Sequence, residues 1–206
     1  EKIEPWDFNY YCRKLAQERT DFDSRNAAPY LRSDKVIEGV FAFASRMYGI
    51  TITRVPSVCL RPGQTCPEGK VEVWDRDVQV YKVTDNKTGA HLGSFYLDPY
   101  LRDGKEDGAW TLTLHSGRPG KDGAPHEPHL VAIVMDWSTP AKYPYTLLDQ
   151  YDVETIFHEF GHALHSLLSD TEVYSQAGIE MALDFVELPS QMSENWAWEP
   201  EVVSLY

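Results

Sequence analysis

Two histidines four residues apart, with a glutamate beside the first, lie within the stretch Thr155 to His165: His158, Glu159 and His162. On a helix, residues at this spacing are offset by only about 40° around the axis and about 6 Å along it. Their imidazoles can therefore converge on one ion from the same face, as a zinc site requires. Glu159 can reach a water held in the open coordination position and take its proton. The plainer alternative is a helix with two satisfied histidines. It is disfavoured because chance alone gives only about 0.02 such patterns in a chain of this composition.

A catalytic zinc needs a third protein ligand and leaves a fourth position for water. Metzincins place a third histidine six residues after the second; that position is Leu168, so this chain is not a metzincin. A downstream acid on a second helix is the other source. Glu172 lies too close to the end of the first helix, while Glu180, Asp184, Glu187 and Glu194 all remain, and spacing does not choose among them.

The elements that must carry these residues follow from periodicity and punctuation. The first forty-nine residues read as helical, with Ser33 as an N-cap and Gly49 as a stop around the apolar series Val36, Ile37, Val40, Phe41, Ala44, Met47 and Tyr48. Residues 50–140 read as a small sheet with loops, its strands at 50–55, 71–74, 78–83, 92–97, 109–115 and 129–135. Asp85 to Gly89 and Arg102 to Lys105 are turns, and the loops around Cys59 and at 117–128 hold most of the Gly and Pro. Residues 145–206 return to helix, with Asp149 as N-cap, a pause near Gly178 and a second helical segment over 184–198. Helices, then a sheet, then helices predict an α+β body rather than alternating β-α units. Trp6, Tyr10, Tyr11, Trp196 and Trp198 read as core, and Gly161 and Ala163 as sites of close helix packing.

Composition narrows the function classes. The 206 residues are 42% hydrophobic and 25% charged, ordinary for a folded domain. A net charge of −13 repels phosphate backbones, so no nucleic-acid partner is expected. The longest uncharged apolar run, Leu130 to Met135, is far short of the roughly 20 residues of a membrane helix, and no membrane partner is expected. Glu1 to Glu4 is charged and no apolar stretch follows, so no signal peptide is read. Cys59 and Cys66 would close a small loop in a periplasmic or other oxidising compartment, and two free thiols would suit a cytoplasmic one; the cytoplasm is favoured.

Longer stretches carry a more specific signal. His158 to His165, together with Asp184-Phe185-Val186-Glu187-Leu188-Pro189-Ser190-Gln191 and Glu194-Asn195-Trp196, closely resembles the thimet oligopeptidase and oligopeptidase A family of zinc peptidases. Pro5-Trp6-Asp7, Val73-Trp74, Phe95 to Asp98 and Gly108-Ala109-Trp110 extend the resemblance over nearly the whole chain. It implies His158, His162 and Glu187 as ligands of one zinc ion and Glu159 as general base. It also implies a mainly α-helical, zincin-like catalytic segment with a small sheet, part of a larger two-lobed helical peptidase with a deep channel that admits short peptides.

On that resemblance residues 1–206 are the central part of a catalytic domain, and the partners are short peptide substrates and the remaining lobes of the longer enzyme. The first residue is not Met, in keeping with a missing start. His165 is expected to pack or to support a ligand, and Asp184 to hydrogen-bond a ligand imidazole or to stabilise the start of its helix. Two rivals stand beside the peptidase reading: a non-catalytic zinc-binding or interaction fragment, and a zinc hydrolase of non-peptide amides.

Overall fold

Strand and helix residues sort by period into one mixed sheet covered by helices. The computed structural model describes residues 3–20, 26–118, 120 and 126–206, so the Gly/Pro-rich loop expected at 117–128 lies partly outside the described residues. Among them, α1 spans Phe8–Thr20 and α2 spans Ser33–Tyr48. Strands β1 (Ile50–Val55), β2 (Ser57–Cys59), β3 (Val71–Val73), β4 (Gln79–Asp85), β5 (His91–Tyr100), β6 (Trp110–His115) and β7 (His129–Trp137) follow. The chain then forms α3 (Gln150–Leu167), α4 (Leu183–Glu194) and α5 (Pro200–Val203). No helix among the described residues is long and apolar enough to cross a membrane. The α+β class read from the sequence is the class observed.

The five-stranded sheet runs β1-β4-β5-β7-β6, with β5 and β7 parallel and the other neighbours antiparallel. The chain passes from β5 out to β6 and back to β7 between them, which leaves β6 as an edge. Strand β2 pairs in parallel with β3 outside this sheet. Three-residue strands are too short to display alternation, so β2 had no sequence signal. Cys12, Cys59 and Cys66 are free thiols, so the loop closure raised for Cys59 and Cys66 is not formed.

Helix α2 lays Val36, Ile37, Val40, Phe43 and Ala44 into the core and stops at Gly49, which at φ 66° takes the left-handed turn that a side chain would resist. Its start differs from expectation by one residue. Arg32 holds the cap position, while Ser33 is the first helical residue; its Oγ accepts from the Thr146 amide at 3.1 Å and its own amide donates to Thr146 O at 2.9 Å. Ser33 therefore stitches α2 to the segment that enters α3 instead of capping its own helix.

A buried ionic clamp fixes the approach to β6. Asp98, only 3% exposed, accepts from Arg102 at 2.6 and 2.7 Å, from Lys105 at 3.0 Å and from Trp74 Nε1 at 2.8 Å. Lys105 also donates to Tyr100 O and to Met135 O on β7. A buried carboxylate is tolerated where its charge and lone pairs are all met, as here.

Helix α3 begins as the sequence predicts. The Asp149 side chain accepts from the Asp152 amide, and Asp152 returns the bond to the Asp149 amide, each at 2.9 Å. Its core face carries Val153, Ile156, Phe157, Phe160, Ala163, Leu164 and Leu167. Phe160 packs against Phe41 and Phe95 with ring centroids 5.4 and 5.7 Å apart, and Phe157 against Phe43 at 5.9 Å. Each buried ring contributes roughly 1.5–3 kcal/mol of transfer free energy, so this face fixes α3 on the sheet.

The expectation that the aromatics are core fails for most of them. Trp6, Tyr10, Tyr11 and Trp198 are 78%, 52%, 46% and 56% exposed, while Trp196 packs on Phe43 at 5.2 Å. Helix α1 buries no residue. Tyr10 and Tyr11 pack edge-on against each other, ring centroids 5.1 Å apart, and stay open to solvent.

Candidate metal centre

The anchored core face of α3 aims the opposite face at α4. His158 and His162, one turn apart, put their rings 4.8 Å from each other at their centroids. Glu187 approaches from α4, its Oε2 3.2 Å from His158 Nε2 and 3.1 Å from His162 Nε2. One ligand atom from each of the three side chains lies within 4.8 Å of the others.

The approach depends on Gly161. A Cβ there would stand 2.8 Å from Ser193 Oγ and 2.9 Å from Ser190 Cα, so glycine lets α4 lie directly on α3. Ser190, fully buried, donates to Glu187 Oε2 and to Glu187 O at 2.9 Å each. Burial alone would push the Glu187 carboxyl up, but the Ser190 hydroxyl and the two imidazoles outweigh it and hold the group below the usual carboxylate value.

The donor chemistry fits a divalent ion. His158 Nδ1 lies 2.6 Å from Glu194 Oε1, an acceptor, so this nitrogen carries a proton, and Nε2 is the nitrogen turned toward Glu187. With Nε2 unprotonated, its lone pair and the Glu187 carboxylate face each other at 3.2 Å, an arrangement that a cation between them satisfies. Tetrahedral zinc with bonds of about 2.0–2.1 Å separates its donors by about 3.3 Å, close to both imidazole–carboxylate distances. Burial holds His162 below the ordinary histidine value, against the pull of Glu187, the direction that favours a coordinating ring.

Glu159 sits between the two histidines in sequence and is only 6% exposed. Its Oε2 accepts from Thr111 Oγ1 on β6 at 2.8 Å. Burial pushes its carboxyl above the ordinary value, while Thr111 and His158 act in the other direction. Two adjoining hollows, of about 280 and 450 Å³, share Ala109, His158 and Glu159 as walls. Tyr151 and Glu154 line the first; Trp110, Ile179, Leu183 and Val186 line the second. The first hollow thus adds the Glu154 carboxylate, while the second sets apolar walls beside Thr111, His162 and Glu187.

Of the acids that spacing left open, Glu187 joins the histidines, and Glu194 reaches one of them from behind. Glu180 and Asp184 are exposed and outside the group, so the imidazole contact considered for Asp184 is made by Glu194 instead. Asp184 lies in the first turn of α4, where a negative charge stabilises a helix start. His165 lies off the site in a hollow with Tyr48, Leu168 and Met192, as a packing residue would. Glu194 carried a usable signal, because it follows Glu187 by two helical turns and shares its face. Thr111 carried none.

A model of the family described as peptidase family M3 matches residues 1–206. The chain belongs to peptidase family M3. This M3 chain is 33% identical over 205 residues to "Oligopeptidase A" of Escherichia coli, covering 99% of its own length and 28% of that protein. It is 33% identical over 198 residues to a "Mitochondrial intermediate peptidase" of Arabidopsis thaliana, covering 96% of itself and 26% of the relative. To the "Dipeptidyl carboxypeptidase" of Escherichia coli it is 33% identical over 210 residues, covering 98% and 27%. The M3 chain thus spans about a quarter of the length of these curated relatives.

Proposed function

We propose that this M3 segment carries the catalytic centre of a zinc-dependent peptidase acting on short oligopeptides. The convergence of His158, His162 and Glu187 beside a buried Glu159 carries the reading. Those three residues hold one zinc ion, which when bound supplies Lewis-acid polarisation of the attacking water and of the scissile carbonyl. Glu159 accepts the proton of that water and delivers it to the leaving amine. Burial of Glu159 supports this role, since a carboxyl raised toward the working pH is a better proton acceptor than an ordinary one. Glu194 holds His158 in the tautomer that leaves Nε2 free to bind metal.

Substrate lies extended beside the open edge of β6, using main-chain hydrogen bonds that read no sequence. Residues 1–206 form the central, zincin-like part of the catalytic domain: helical to 49, sheet and loops over 50–140, metal-site helices from 145. The rest of a two-lobed helical protein encloses the channel. That the M3 relatives are about four times as long as the matched stretch supports further regions around it.

The test uses the complete protein, a quenched short peptide and metal analysis. Glu159→Gln is expected to retain stoichiometric zinc and lose nearly all turnover, because an amide takes up no proton at neutral pH. His158→Ala, His162→Ala and Glu187→Ala are expected to lose zinc. A Glu159→Gln enzyme turning over at the wild-type rate would remove the proposed base.

A further inference from the structure

Thr111 Oγ1 lies 2.8 Å from Glu159 Oε2 and also 2.8 Å from Glu159 O. Among the described residues this hydroxyl gives the Glu159 carboxylate its one hydrogen bond. We infer that Thr111 is a positioning residue for Glu159, fixing the carboxylate so that its other oxygen faces the cleft. The inference rests on the reading of Glu159 as the base.

Strand alternation puts Thr111 there. In β6, Leu112 and Leu114 point outward, 51% and 47% exposed, while Thr111 and Thr113 turn toward α3. Thr113 Oγ1 meets Ser166 Oγ at 3.0 Å, so the strand is joined to the helix by two hydroxyls, one at the base and one beyond it. The first arises from a different element than the base, which makes it a brace rather than a local bond. A threonine holds its hydroxyl more firmly than a serine, because branching at Cβ restricts χ1.

A hydroxyl has one proton, and an ionised carboxylate competes for it better than a backbone carbonyl does. Thr111 therefore donates to Glu159 Oε2 and holds that oxygen against β6. Ser190 has the same arrangement toward Glu187.

Loss of the brace frees the carboxylate by a rotamer, and an ångström of misplacement costs up to about 100-fold in rate. In the complete protein Thr111→Val, which keeps the shape and removes the hydroxyl, is expected to lower kcat about 10–100-fold with KM and zinc content unchanged. Thr111→Ser should restore most of the rate. Thr113→Val, the same change one rung away, should leave kcat at the wild-type value. In a Glu159→Gln background, Thr111→Val should cause no further loss, because the two residues act as one unit. If Thr111→Val does not fold, Thr111→Ala is read against the same outcomes.

Wild-type kcat in Thr111→Val beside an inactive Glu159→Gln overturns the positioning role and leaves the base intact. An equal loss in Thr113→Val overturns it too, as a general effect of detaching the strand. Full activity in Glu159→Gln overturns the base reading itself.

Discussion

Glu194 Oε1 and Glu187 Oε2, two turns apart on α4, clasp the His158 ring from both sides, at 2.6 Å from Nδ1 and 3.2 Å from Nε2. One helix therefore supplies both the acid that meets Nε2 and the acid that meets Nδ1. The His158 ring cannot turn without losing a charged partner on each edge.

Removing the outer partner should weaken the metal without removing a ligand. Glu194→Ala is expected to lower zinc affinity about 10–100-fold, the usual cost of losing a carboxylate behind a ligating histidine. Competition with a chromophoric chelator measures it, and an affinity equal to wild type would detach Glu194 from the site.

The contact of α3 with α4 should be intolerant of a single methyl group. Gly161→Ala drives a Cβ to 2.9 Å from the Ser190 backbone and is expected to cost about 1–3 kcal/mol, with weaker zinc binding because α4 carries Glu187. Thermal unfolding with and without zinc reads both effects. A stable variant with unchanged zinc dependence would mean that α4 has room to move.

The clamp ahead of β6 should be a large term in stability. Asp98→Ala leaves Lys105, 5% exposed in its side chain, as an uncompensated buried charge, at a cost of about 3–5 kcal/mol. Urea unfolding tests this, and a loss under about 1 kcal/mol would show that water reaches the lysine.

Acid should destabilise the fold through His129. This ring is 4% exposed; its Nδ1 accepts from the Gly117 amide and its Nε2–H donates to Ser169 O, so it is bonded in the neutral form. Burial holds its folded-state value below the ordinary histidine value, so below about pH 6.5 the unfolded chain binds the proton more readily. Stability is therefore full above that pH and falls as pH drops toward the lowered folded value. The loss of Tm between pH 7 and 5.5 should shrink in His129→Gln relative to wild type. Identical slopes would exclude His129 as the source.

What the sequence revealed followed the range of the interactions. His158, Glu159 and His162 were legible because helical period alone brings them together. The reciprocal cap at Asp149 and the stop at Gly49 were legible for the same local reason. Glu187 was one of four acids until the longer motif was matched, since periodicity carries no information on how α4 crosses α3. Thr111 was invisible because its contact depends on β6 lying outermost, and strand order is set by non-local pairing. The parallel neighbours β5 and β7 were hidden for that reason too. The exposed Trp6 and Tyr10 show the converse: an apolar stripe states that a surface wants cover, not what covers it.

Phe157 and Phe160, buried against the sheet, bracket His158 and Glu159 in four consecutive residues, whereas α4 has Ser190 as its one buried residue. The two halves of the centre thus belong to units of unequal local stability. The amides of α3 should exchange with solvent as slowly as those of β5 and β7, and those of α4 much faster. An ion would leave by excursions of α4 that carry Glu187 away while both histidines stay in place. Its residence time is then set by how often one thin helix lifts, and not by the lifetime of the fold.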